Sequence, residues 1–202
     1  MNLFKRIFGS KKNKDTTGRG HVARGKYMPE IRLPVDEKFT INFKKNGGKF
    51  IYCESIEEIA DAFQNILKEN TWKNSSVYCL DQDLRNKFKS FNLSFSNNSR
   101  SATFFLSGCE NLVADVGGIL VSSNQIGEQK LNELPDNFVV LATTSQLIDT
   151  IGEGLRRIKN ESGKRIPTNI TTIKHFNTID EKDFLSYGSS SKNLYLLLLE
   201  DL

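Results

Sequence analysis

LYLLLL (194–199) is an apolar run without polar alternation. A strand of that kind is buried on both faces, the situation of a strand inside a parallel sheet covered by helices. FVVLAT (138–143) has the same character, and KFIYC (49–53), VYCL (77–80), TFFL (103–106) and GGILVSS (117–123) supply further strand candidates upstream. Helical patterns alternate with them. Residues 36–46 read as a helix that stops at Gly47-Gly48, where glycine is expected just past a helix end. Ser55 with Glu58 forms a capping box for a helix reaching Lys68, with Ile56, Ile59, Ala60, Phe63, Ile66 and Leu67 on one face. Asp81 opens a helix over 81–89, and NLSFSNNSRS (92–101) reads as a polar loop. A short helical turn is expected between TFFL and GGILVSS. Thr143 with Gln146 predicts a helix over 144–160, whose inner face is Leu147, Ile148, Ile151, Leu155 and Ile158. Strands alternating with helices predict an α/β fold, a Rossmann-like and mostly parallel sheet flanked by helices.

The chain's 202 residues suit one domain with a tail. The tail is drawn at residues 1–30 and the α/β domain at 31–202. Residues 1–26 carry seven net positive charges of a chain total of +4, which leaves the rest at −3. The basicity therefore belongs to the tail, and a mildly acidic body argues against a nucleic-acid partner. Leu3, Phe4, Ile7 and Phe8 could form one apolar face of a short helix ahead of the polar run GSKKNKDTTGRG (9–20). One reading makes the tail a docking element for a partner or an anionic membrane. A solvated leader is favoured, because so short a helix is marginal alone and binds membranes weakly. No stretch has the length of a transmembrane segment and no apolar signal region follows the basic start, so the expected location is cytoplasmic.

Cys53, Cys79 and Cys109 have no CxxC partner and no neighbouring histidine, so neither a metal nor a cofactor is expected. Each sits in or beside an apolar run and reads as a small buried hydrophobe. Trp72 reads as a cap over the sheet edge.

In parallel sheets ligands bind beyond the carboxyl ends of the strands, here the loops after residues 53, 80, 106, 123, 143 and 172. Asp115 stands before Gly117 and Gly118, where a carboxylate can serve as nucleophile, base or ligand anchor and glycines admit a ligand to the backbone. A turn aspartate bonding its own backbone explains the same residues. Thr143, Thr144 and Ser145 open the helix expected at 144, where free amides make an anion site, although capping alone accounts for them. Gly188, Ser189 and Ser190 with Lys192 could cradle a phosphate or carboxylate, or form a plain surface turn. His175 reads as a solvent-facing or hydrogen-bonded histidine in preference to a catalytic one, His21 lies in the tail, and no complete catalytic constellation is visible.

The order of segments from about Phe39 to Leu199 resembles the LUD-domain (lactate-utilisation) family. Three stretches carry it: a helix ending in KNGGKF (45–50), VADVGGILVSS (113–123) followed by LPDNFVVLATTSQL (134–147), and a loop leading into KNLYLLLLED (192–201). Where relatives read Ala-Glu-Thr-Gly, this chain has Ala114, Asp115, Val116 and Gly117. Where they carry Gly-Pro-Ser-Arg-Thr-Ala-Asp, it has IKHFNTID (173–180), without the glycine, proline or arginine. The resemblance implies a fold similar to sugar-phosphate isomerases, coenzyme A transferases and formyltetrahydrofolate cyclo-ligases. It also implies an accessory role in oxidising lactate to pyruvate beside iron–sulfur partner proteins. An independent enzyme or binding protein acting on an anionic small molecule is the alternative it leaves open.

Overall fold

The computed structural model describes residues 33–163, 165–176 and 192–201. The tail drawn at residues 1–30, its boundary included, therefore lies outside the described residues.

Helix α1 (Val35–Lys45) is followed by Gly47 at φ +84°, the left-handed residue that ends it. After β1 (Lys49–Cys53) comes α2 (Ile56–Glu69), capped by the Ser55 hydroxyl, which accepts from the Glu58 N–H. Its buried face is Ile59, Ala62, Phe63, Ile66 and Leu67, while Ile56 is exposed. β2 (Ser76–Tyr78) is shorter than VYCL suggested and leads into α3 (Gln82–Lys87), capped by Asp81. The polar stretch 92–101 is not a plain loop: it contains β3 (Ser94–Ser96), which pairs parallel with β2, and a 3₁₀ turn at Ser99–Ser101.

β4 (Phe104–Ser107) is followed by β5 (Asn111–Val113) where a helical turn was expected, then β6 (Gly118–Val121) and a single-turn α4 (Ser123–Ile126). β7 (Asn137–Thr143) runs into a 3₁₀ turn at Thr144–Gln146, then β8 (Leu147–Ile148), and only then α5 (Ile151–Glu161). The helix expected over 144–160 thus loses its first turns. Leu147 and Ile148 pair with Leu112 and Val113 of β5, and the working cap is Thr150, whose hydroxyl accepts from the Glu153 N–H. The shift rotates the buried face: Leu155 is exposed, while Gly154 and Ile158 face inward. A Cβ on Gly154 would stand 2.7 Å from Ile148 and 2.8 Å from Leu120, so α5 lies almost directly on the strands. β9 (Thr171–Ile173) and β10 (Asn193–Leu199) complete the fold.

The strands make two sheets. Six run in the order β1-β10-β7-β4-β2-β3, every registered pair parallel, which agrees with the expected α/β class. β10 has neighbours on both sides, and Leu194 to Leu198 are buried, as an unalternating apolar strand requires. Phe63, Phe88, Phe104 and Trp72 belong to the core between this sheet and α2. Trp72 is not a cap on the edge: it stacks on Phe104 of β4, an interior strand, with ring centroids 4.8 Å apart. The second sheet, β8-β5-β6-β9, is mixed, with β6 antiparallel to both β5 and β9. Among the described residues no helix is long and apolar enough to cross a membrane.

Candidate functional site

β10 and β7 are adjacent and parallel, so the loops that follow them emerge together at the carboxyl edge of the large sheet. There Thr144, Ser145 and Asp201 lock together. The Thr144 hydroxyl donates to one Asp201 carboxylate oxygen at 2.8 Å, and the Ser145 N–H donates to the same oxygen at 2.8 Å. The Ser145 hydroxyl donates to the other at 2.6 Å, and the Asp201 N–H returns a bond to the Thr144 hydroxyl at 3.1 Å. Thr143 joins through a 3.0 Å contact with the Ser145 hydroxyl. The donors of this loop are thus bonded to the chain's own Asp201 carboxylate. Beside it, the Tyr52 hydroxyl donates to Glu200.

Burial pulls the Asp201 carboxyl upward, but the hydroxyl and N–H of Ser145 and the hydroxyls of Thr144 and Thr143 outweigh it and hold the group at about 2. A carboxyl whose folded value is depressed stabilises the fold above its unfolded value, and that contribution disappears as pH falls from about 4 toward 2. Asp201→Asn should therefore cost about 1 kcal/mol or less at pH 7, solvent screening having reduced the effect. At pH 2 it should cost almost nothing. Urea unfolding at both pH values reads this directly, and an equal loss at both would show that the carboxylate charge is not what the loop holds.

Asp115, Gly117 and Gly118 lie on the β5–β6 hairpin. Asp115 is exposed, and its N–H donates to the Asp149 carbonyl at 3.0 Å. The turn is fastened to α1 by two asparagines one helical turn apart. Asn42 donates to the Ala114 carbonyl at 2.8 Å, and Asn46 donates to the Val116 and Gly117 carbonyls at 2.7 and 3.0 Å. Gly117 has φ +57° and abuts the α1 backbone, and a Cβ on Gly118 would come within 3.0 Å of the Ile173 carbonyl. Both glycines thus stand against protein backbone.

Lys192 sits at the opposite end of the large sheet. It directly precedes β10, so a seven-residue strand separates it from the level of Thr143, roughly 20 Å at about 3.3 Å per residue. Its ammonium is buried and donates to the Leu134 and Pro135 carbonyls, each at 3.1 Å, with Asp136 at 3.4 Å. Gly188, Ser189 and Ser190 lie outside the described residues. His175 is exposed, and its carbonyl accepts from the Lys192 N–H. The three cysteines are buried and free. Burial pushes the Cys53 and Cys79 thiols up to about 11 and Cys109 further still, so all three are held as thiols.

The candidates among the described residues thus fall into three places: the carboxyl edge, the hairpin against α1, and the amino edge. Asp201, Tyr52, Asn42 and Asn46 were missed in the sequence. Asp201 carried a usable signal, since the loop after β10 also emerges at the carboxyl edge. The asparagines carried none, because their partners are backbone carbonyls about 70 residues away.

A parallel six-stranded sheet joined to a small mixed one, with a carboxylate-holding loop at the carboxyl edge, defines an α/β domain of the Rossmann-like class. The chain belongs to the LUD domain family, whose family model matches residues 37–199. The family is associated generally with lactate utilisation. The fold is similar to the crystal structure of a DUF162 family protein from Deinococcus radiodurans, with a TM-score of 0.59 over 86% of this chain and 100% of that one. The two are 12% identical. No curated protein matches the chain.

Proposed function

We propose that this chain is a cytoplasmic accessory protein of lactate oxidation, acting beside iron–sulfur partner proteins that carry the electrons. The observation that carries the reading is family membership across residues 37–199. The residues offered for independent catalysis support it less well. Asp115 is exposed on a hairpin, and among the described residues no hydrogen bond or ion pair joins it to Thr143–Ser145 or Lys192. The loop best suited to an anionic substrate is held by Asp201. Deleting the gene in its host should abolish or strongly slow growth with lactate as sole carbon source, while growth on glucose is unchanged and a plasmid copy restores the loss. Normal growth of the deletion strain on lactate would overturn the proposal.

A further inference from the structure

Helix α1 ends at Asn46-Gly47, the only place in the chain where glycine follows asparagine. Such a pair is chemically labile. The Gly47 nitrogen can attack the carbonyl carbon of the Asn46 side chain, and glycine puts no Cβ beside the attacking atom. The new N–C bond closes a five-membered succinimide ring while the bond to Nδ2 breaks, and ammonia leaves with the proton that the Gly47 nitrogen gives up. Water then adds at one of the two ring carbonyls and opens the ring to aspartate or isoaspartate. The fold holds both reacting groups in other bonds. Asn46 Nδ2 donates to the Val116 and Gly117 carbonyls at 2.7 and 3.0 Å, and the Gly47 N–H donates to the Lys44 carbonyl at 3.0 Å. Asn46 has ψ 2°, which turns the Gly47 nitrogen away from the side chain it would attack. Ring closure therefore requires Nδ2 to leave the hairpin, the Gly47 N–H to leave Lys44, and the chain to rotate about the Asn46 Cα–C bond. All three are met when the last turn of α1 lifts off the β5–β6 hairpin. Both residues are half-buried, so water reaches them there.

We propose that Asn46 is a site of spontaneous deamidation, gated by the clamp between α1 and the β5–β6 hairpin, and that the reaction releases this clamp irreversibly. The product carries an acceptor-only carboxylate where an amide donated, and it faces the Val116 and Gly117 carbonyl oxygens, which repel it. Isoaspartate also lengthens the backbone by one carbon directly ahead of Gly47, whose φ of +84° ends the helix. Either product leaves the turn at Ala114–Gly117 to Asn42, which donates to the Ala114 carbonyl. This chemistry does not depend on the lactate reading, because it uses only the Asn-Gly pair and the bonds that restrain it.

The test incubates the full chain at mildly alkaline pH and 37 °C and follows each asparagine by peptide mass spectrometry. Asn46 should convert ahead of Asn74 and Asn98, which precede serine, and its peptide should split into aspartate and isoaspartate forms. The folded chain should react roughly tenfold or more slowly than the chain in urea, since only the locally opened state reacts. Asn42→Ala, which removes the neighbouring bond to the hairpin, should speed conversion of the folded chain about threefold or more, the equivalent of one hydrogen bond. Asn46→Asp makes the aspartate product directly and should melt about 5 °C below wild type. Equal rates for the folded chain and the chain in urea would show that the clamp is no gate and overturn the proposal. Conversion in urea with none in the folded chain would show that the clamp never opens, and would overturn it equally. So would an Asn46→Asp variant that melts with wild type, because the clamp would then survive the reaction.

Discussion

Gly117→Ala is expected to lower the melting temperature by about 10 °C, the equivalent of about 3 kcal/mol for a chain of this size. Two costs add. Alanine at φ +57° adopts a left-handed conformation that costs about 1 kcal/mol. Its Cβ would also lie inside the backbone of Asn42 and 2.5 Å from the Phe43 nitrogen. Backbone cannot swing aside as a side chain does, so relief requires α1 to move off the hairpin. That movement would break the bonds from Asn42 and Asn46 and open the packing of Phe39 and Phe43, both fully buried. Asp115→Ala, two residues away, should shift the melting temperature by less than about 2 °C, because its side chain is exposed. Thermal unfolding of the two variants side by side separates a packing glycine from a ligand-approach glycine. If Gly117→Ala unfolds with the wild type, the close approach of helix and turn is not what selects glycine there.

Lys192→Ala should cost a similar amount, about 3 kcal/mol. The ion pair contributes little, since the Asp136 side chain is 88% exposed. The loss comes from two buried carbonyls, Leu134 and Pro135, left without a donor, and from the space vacated beside Phe138, over whose ring the ammonium sits at 5.5 Å. Lys192→Met, which restores volume without a donor, should recover only part of it. The pH dependence carries a further signature. Burial lowers the ammonium's value below 10.5, only partly offset by Asp136, so the folded chain releases this proton at lower pH than the unfolded chain. Between the lowered folded value and 10.5 the unfolded state holds more protons, and the stability of wild type relative to Lys192→Ala should rise with pH. Urea titrations at pH 7 and pH 10 measure both effects. An unchanged unfolding midpoint for Lys192→Ala at pH 7 would show that Lys192 does not anchor the segment before β7.

Both residues stand among the sequence's candidates for ligand binding, and the structure supplies protein partners for each. A glycine that admits a ligand's close approach and one that admits a helix carry the same local signal. So do a lysine awaiting an anion and one aimed at two carbonyls. What differs is the group across the gap, which for Gly117 is about 75 residues away in sequence and for Lys192 about 57.

The sequence by itself determined five of the six strands of the large sheet, β3 being the exception, and the helix starts at Ser55 and Asp81. Those signals are local: an unalternating apolar run can satisfy itself only by burial on both faces, and a serine or aspartate ahead of an amphipathic stretch caps its own helix. It also determined the family, through short runs that survive in order. Tertiary structure decided the second sheet, because Leu147-Ile148 and Asn111–Val113 are too short to read as strands until they pair with each other. The same pairing moved the helix start from 144 to 151. Tertiary structure also brought Asp201 to the donors of Thr144 and Ser145, through the adjacency of β7 and β10. Pairing register and strand order depend on contacts distant in sequence, and side-chain periodicity within one segment carries no information about what lies across from it.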